Sequence, residues 1–565
     1  MMAGPKAPKD PTAKGSSFYI CRQKEVAGNP QPDGRGIQFI YLNDVRLTTF
    51  AQMVGNITDE AMLTNLKNAE GFQNMVAGIG VTVEAEDREQ PIDFVFQMYG
   101  KTDPNNSGTI LRASCIPDGM EQILWFDDYK WSDDDDVPGQ MRFEFDKSGK
   151  FATVDVKLYL REGFTAPEQE ECNAIDAASE DYQTMIKRSF MQAGNNARIK
   201  RLLDKAKAGE DITIAFIGGS ITQGAGAIPI NTKCYAYRTW EKFREVFGCG
   251  DNVHFVKAGV GGTPSELGMI RFERDVLKDG NVTPDLVVIE FAVNDEGDET
   301  KGRCYECLVR KALGVSEHTA VLLLFAVFAN DWNLQERLGV VGKRYELPMV
   351  STLDAVVPQF YQKPGEGRVL TKSQFFYDSY HPTNMGHEIM ADCIIHMLTE
   401  IDKQEADEAM LWQEKEPVFG TDFTNVKLLD KKANTDKAII LSVGSFCEID
   451  TDLQKVEMDK SFSATPQFPY NWQHKQGTEP FRMKITCKAL LLVSKDSGDV
   501  NSAKVNVCVD GKEVLVADPR EVGWTHCNAQ ILFSEEESKE HLVELWPLPG
   551  EEDKLFTILG FGYVE

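Results

Sequence analysis

The chain has 565 residues, 42% hydrophobic and 26% charged, a folded-protein composition in a chain too long for one core, because single cores stop growing at roughly 250 to 300 residues. Its 60 Lys and Arg against 88 Asp and Glu give a formal charge of -28, which repels polyanions and anionic membrane surfaces and argues against nucleic-acid or membrane partners. Neutral sugars and small esters meet no such barrier, and a homo-oligomer is compatible with this composition.

Residues 1–16 carry Lys and Pro but no apolar segment, so they are expected to form a disordered leader and not a signal peptide or an anchor. The longest apolar run, Val321 to Phe328, falls far short of the roughly 20 residues of a membrane span. The 12 cysteines follow no disulfide framework, and with no export signal the expected location is cytoplasmic, with reduced thiols. Cys304 and Cys307 form a lone CxxC with no second pair or His ligands at metal spacing, so packing on a helix is expected and no metal or other cofactor is called for.

From 17 to 165 short alternating stretches such as FIYLNDVRL and IDFVFQMYG are broken by turn residues, the pattern of an antiparallel β domain. MRFEFDKSGKFATVDVKLYL predicts a hairpin turning at Asp146 to Gly149, since Gly accepts the positive φ of tight turns. The adjacent carboxylates Asp133 to Asp136 suit a solvated loop better than calcium, because four neighbouring charges repel unless a dedicated loop arranges them. Residues 166–210 form a helical connector, with Ser179 as a cap and Gly194 dividing it into two helices.

Between 211 and 400 the pattern changes to continuous apolar runs, ITIAFIGG, VHFVKAG, LVVIEFAVN and AVLLLFAVF, alternating with segments of helical length such as 237–247. Strands apolar on both faces belong to a parallel sheet covered on both sides, an α/β fold. An acidic linker over 401–417 leads to a second β domain over 418–565, where Asp510 and Gly511 form a two-residue hairpin turn.

Ser220 follows the first of these strands, where Gly218 and Gly219 permit a tight turn at the carboxyl end of the sheet, the usual ligand side of open α/β folds. A serine needs a base to become a nucleophile. His381, in DSYHPT, is the best candidate, with Asp378 three residues earlier to orient it. GGSITQGAG has neither the GxGxxG spacing nor a Walker lysine, so no nucleotide site is expected. Asp295 is expected to brace a loop. His387 and His396, nine apart, are expected to pack, as ligands at that spacing lack a third partner; His254, His318, His474, His526 and His541 carry no claim.

Four blocks in order, IGGSITQG, KAGVGGTPSELG, FAVND and DSYHPT, resemble those of the SGNH/GDSL hydrolases, with Gly219 where Asp is usual and Lys257 where Asn is usual. The resemblance implies a flavodoxin-like parallel-sheet hydrolase domain, here flanked by two β-sandwich, jelly-roll-like domains. It implies Ser220, Asp378 and His381 as the catalytic residues and Ser220, Gly262 and Asn294 as the oxyanion hole. Relatives with this GGS variant and β-sandwich modules imply removal of O-acetyl groups from carbohydrate, such as plant hemicellulose-derived oligosaccharides. Trp240, Trp332, Trp472 and Trp524 are candidates for stacking on sugars, with core packing as the alternative. The rival readings are a short-chain lipid or aryl esterase with an apolar pocket and a non-catalytic glycan-binding protein.

Overall fold

The computed structural model describes residues 15–43, 46–169, 172–248, 250–363, 365–461 and 463–565. The leader expected over 1–16 lies outside them apart from Gly15 and Ser16. The chain divides into two compact units, 1–176 with 368–386 and 177–367 with 387–565.

The first unit holds two antiparallel sheets. One orders Ser17–Ala27, Phe151–Leu160, Val76–Glu84 and Gln122–Trp125; the other orders Asn29–Pro30, Gly36–Tyr41, Asp135–Phe145, Ile92–Gly100 and Ile110–Cys115. Alternation along Phe151–Leu160 buries Val154, Val156 and Leu158, as a strand with one face on a core must. The hairpin predicted at Asp146 to Gly149 is not formed. Asp135–Phe145 pairs within the five-stranded sheet and Phe151–Leu160 within the four-stranded one, so the turn carries the chain from one sheet to the other. Alternating burial identifies strands but not their partners, hence the error. Of the carboxylates expected in a solvated loop, Asp133 and Asp136 are exposed, whereas Asp134 is half-buried and Asp135 buried. Asp135 is buried and accepts the Thr109 amide and hydroxyl, 2.6 and 2.7 Å away, while Asp134 accepts the Thr102 amide at 3.1 Å.

In the second unit a helix over Glu180–Lys187 begins at Ser179, whose hydroxyl accepts the Tyr182 amide at 3.2 Å. The chain then adds strand β1 (Phe190–Gln192), turns at Gly194 with φ +62°, and continues as a helix over Ala197–Lys207. The connector therefore does split at Gly194, and it also contributes a strand. The central sheet contains β1, β2 (Ile212–Gly218), β3 (Val253–Gly259), β4 (Leu286–Glu290), β5 (Ala320–Phe325) and β6 (Met349–Ser351) in the order β1-β6-β5-β4-β2-β3. Strands β2 to β6 are parallel, whereas β1 runs antiparallel to β6. The expected all-parallel sheet is thus a mixed one; three-residue strands are too short to carry a readable period. Every residue of β4 and β5 is buried, which is why those segments read as unbroken apolar runs.

The C-terminal strands form one eight-stranded sheet and a separate two-stranded ribbon. At its centre, long strands β7 (Phe481–Asp496) and β8 (His526–Pro547) pair antiparallel with register shifts between Cys487 and Ala489 and between Leu490 and Leu491. The hairpin at Asp510 and Gly511 is present, with φ of +52° and +75° at its two turn residues, the signature of a type I′ turn. No helix among the described residues is long and apolar enough to cross a membrane.

Candidate active site

Strand β2 ends at Gly218, and Ser220 opens the one-turn helix α1 (Ser220–Gln223). The turn is packed without slack. A Cβ added at Gly218 would meet Thr222 and the Glu290 carbonyl, and one added at Gly219 would collide with the Asn294 amide. Gly219, in place of the more usual Asp, therefore has a steric cause in this chain. Thr222 hydrogen-bonds the Tyr235 hydroxyl at 2.8 Å and donates to Glu290 at 3.3 Å, all three side chains being buried. Burial pushes the Glu290 carboxyl up to about 8, with the Thr222 bond opposing and Asp295 adding to the rise.

Lys257, the other departure from the usual blocks, is fully buried at the end of β3 and donates from Nζ to the Gln223 carbonyl at 2.8 Å. It secures the far end of α1. After β3 the chain enters the Gly261–Gly262 loop, where Gly262 has φ +73°, a left-handed conformation that favours glycine. Gly261 donates its N–H to Gln223 Oε1 at 3.1 Å, and a Cβ at 261 would stand 3.7 Å from that of Ser220. This places the loop beside the predicted nucleophile. Asn294 follows β4, half-buried against Gly219, with an Oδ1 that finds no hydrogen-bond partner among the described residues. Ser220, Gly262 and Asn294 are thus gathered at the carboxyl ends of β2, β3 and β4.

Asp295 is buried and accepts the Ser265 amide and hydroxyl, each at 2.8 Å, pinning the start of helix α2 (Ser265–Asp275). That is the bracing geometry expected of it. Burial first, then Asp298, pushes its carboxyl up to about 8. The nearby Glu266, Asp298 and Cys304 offer ligand atoms within 4.8 Å of one another. Asp298 is already engaged by the amides of Thr300 and Gly302, and burial pushes Glu266 up to about 9 and raises the Cys304 thiol. Protonated groups committed to the chain make poor cation ligands.

Asp378 and His381 lie in the first unit. His381 Nδ1 is 2.9 Å from Asp378 Oδ2, and the amides of Tyr380 and His381 both donate to Asp378 Oδ1 at 2.8 Å. A carboxylate only accepts, so Nδ1 carries the proton and Nε2 is the basic nitrogen of the neutral ring. Burial pushes the Asp378 carboxyl up, but the His381 ring and these donors outweigh it and hold the group well below the usual range. The loop rests on the N-terminal strands of the same unit: Lys24, buried, donates to the Tyr377 carbonyl and lies 4.5 Å from the Tyr377 ring centroid, while Gln38 Nε2 donates to the Tyr377 hydroxyl at 3.1 Å.

The remaining candidates separate cleanly. His387 is buried; its Nδ1 accepts the Tyr235 amide at 3.1 Å and its Nε2 donates to the Ala225 carbonyl at 3.0 Å, a packing role. Trp240 and Trp472 are buried, and Trp332 packs on Phe328. Trp524 is 47% exposed, and a Cβ added at Gly262 would lie 2.7 Å from its Cζ2. The sequence offered no handle on Lys24, Gln223, Gln454 or His526. Each is an isolated polar residue whose partner is remote in the chain.

The GDSL-like lipase/acylhydrolase family model matches residues 216–389, a span that includes Ser220, Gly262, Asn294, Asp378 and His381. Residues 216–389 are thus a GDSL-like lipase/acylhydrolase domain. This hydrolase is a carboxylic ester hydrolase, similar in structure to a two-domain esterase (CEX) active on acetylated mannans, with a TM-score of 0.57 and 25% identity over 67% of this chain and 99% of that one. It is similar also to that esterase co-crystallised with mannopentaose, with a TM-score of 0.56 and 24% identity over 67% of this chain and 98% of that one. No curated protein matches the hydrolase in sequence.

Proposed function

We propose that the enzyme removes O-acetyl groups from carbohydrate, on hemicellulose-type oligosaccharides, through an acyl-enzyme on Ser220. The observation that carries the carbohydrate reading is Trp524, a half-exposed indole laid against the Gly262 loop, since an aromatic face beside an ester site suits a sugar ring. The likeness to an esterase active on acetylated mannans supports it.

In this reading Ser220 Oγ attacks the acetyl carbonyl carbon as His381 Nε2 takes its proton. The carbonyl π pair moves onto oxygen, and the N–H groups of Ser220 and Gly262 with the Asn294 amide receive that oxyanion, each such donor contributing about 3 to 4 kcal/mol. Collapse of the intermediate breaks the bond to the sugar oxygen, which leaves with the proton from His381. Water, deprotonated by His381, then attacks the acetyl-serine and releases acetate. Asp378 keeps the imidazole in the required tautomer throughout.

We also read the sheet as flavodoxin-like and the β-rich regions as sandwiches. The order of the parallel strands, second-first-third-fourth-fifth, supports the first, and the pairing of the N-terminal strands into two sheets supports the second.

Acetate release from acetylated manno- and xylo-oligosaccharides, alongside hydrolysis of 4-nitrophenyl acetate, butyrate and octanoate, tests the function in wild type and Ser220→Ala. Deacetylation of the oligosaccharide by wild type only, with acetate the preferred acyl group, is the expected result. A preference for octanoate would replace the carbohydrate reading with the lipid-type one, and equal rates in both proteins would remove Ser220 from the mechanism.

A further inference from the structure

We propose that Gln454 and His526, on the C-terminal β region, are positioning residues that aim the Gly261–Gly262 peptide of the oxyanion hole. The inference rests on the reading above in which the Gly262 N–H receives the oxyanion.

A trans peptide is planar, and its C=O and N–H point in opposite directions. The N–H of Gly262 shares its plane with the carbonyl of Gly261, so whatever holds that carbonyl sets the direction of the N–H. Gln454 Nε2 donates to the Gly261 carbonyl at 2.9 Å. The amide cannot be reversed without loss, because its Oε1 accepts the N–H of Cys527 at 3.0 Å and a backbone N–H only donates. Gln454 is buried.

The next peptide is held too. His526 Nε2 lies 3.1 Å from the Gly262 carbonyl and Nδ1 lies 3.1 Å from the buried Asp496 Oδ2. Both partners only accept, so the ring holds the Gly262 carbonyl when Nε2 carries a proton and holds both groups when both nitrogens do. From the opposite side, the Gly261 N–H is held by Gln223, whose Nε2 donates to Glu457 at 2.9 Å.

The need for such holding follows from the residues. Two consecutive glycines have the widest conformational freedom of any dipeptide, and rotation of the 261–262 peptide would replace the N–H facing the ester by a carbonyl oxygen. Among the described residues, the strand and helix flanking the loop supply no donor to either carbonyl, and Gln454 and His526 reach them. The C-terminal β region thereby enters the rate of the chemical step without touching a reacting atom.

The test uses the full chain. Gln454→Met keeps the length of the side chain and removes both hydrogen bonds; kcat, KM and thermal midpoint are measured with 4-nitrophenyl acetate and with its thiono analogue. Sulfur is a weak acceptor, so a working oxyanion hole favours the oxygen ester. Expected are a fall in kcat on the order of 10-fold or more, a KM within about threefold of wild type, and a smaller ratio of oxygen-ester to thiono-ester kcat/KM. A kcat within twofold of wild type, or a fall in kcat with the ratio unchanged, overturns the proposal. If Gln454→Met does not fold, His526→Leu is read by the same criteria. Ser220→Ala run in parallel separates the two levels: an active Ser220→Ala defeats the serine mechanism, whereas an inactive one beside an unperturbed Gln454→Met defeats the positioning role alone.

Discussion

Gly219 occupies the point where a strand stops, the proposed nucleophile Ser220 follows and the Asn294 amide comes close, with room for no side chain. Its φ of −86° is open to any residue, so the constraint is space and not backbone freedom. Gly219→Ala is therefore expected to displace Asn294 from the site, not to distort the turn itself. Losing one oxyanion donor costs on the order of 10²-fold in kcat, with KM little changed because the ground-state ester makes weaker demands on that donor. Steady-state kinetics on 4-nitrophenyl acetate check this, and a kcat within twofold of wild type would show that Asn294 tolerates the methyl. The motif blocks made the groups of the proposed site legible: the turn at Ser220, Gly262, Asn294 and the Asp378–His381 pair, whose 2.9 Å contact lies within three residues. What stayed hidden were the groups that hold them, because Gln454 meets Gly261 from 193 residues away and no local pattern encodes such a pairing.

Elements were legible in proportion to their length and burial. The five-residue β4 and six-residue β5, apolar throughout, were plain, while three-residue β1 and β6 were invisible and with them the antiparallel edge. Partnership was harder than existence, as the missing hairpin at Asp146 shows, since any alternating strand can pair with any other. The segment 368–386 carries the same lesson: it groups with the N-terminal β strands, whereas chain order alone assigned it to the hydrolase domain. Its support is Lys24, a buried cation whose charge is disfavoured by burial and recovered in part through Cys21 and Asp378. Lys24→Met should leave the strand packed, because an apolar chain of similar length replaces a buried ammonium, yet free the Tyr377 carbonyl and let the His381 loop drift. A displacement of about 1 Å can cost up to about 10²-fold, so a kcat reduced 10-fold or more with a thermal midpoint within a few degrees is expected. An unchanged kcat would mean that Gln38 and the loop's own hydrogen bonds suffice.

The whole molecule combines a charge of -28 with buried carboxyls whose protons are held tightly. Burial pushes Glu290 and Asp295 up to about 8 and Glu266 up to about 9, whereas in the unfolded chain such groups titrate near roughly 4. Between those limits the folded protein binds more protons than the unfolded one, so stability falls as pH rises, until the folded values are passed. Asp378 acts in the opposite sense: its folded value is depressed, so its contribution is present above roughly pH 4 and is lost as pH falls. The thermal midpoint should therefore peak in mildly acid solution and decline from about pH 6 to pH 9. General repulsion among 88 acidic side chains would bend the curve the same way, and the two causes can be told apart. Glu290→Gln keeps a carbonyl for Thr222 and removes one tightly held proton, so the decline should become shallower; the exposed Glu537→Gln removes a surface charge but no tightly held proton and should leave the slope as it was. Equal slopes in the two variants would assign the pH dependence to surface charge and not to the carboxyl behind the nucleophile turn.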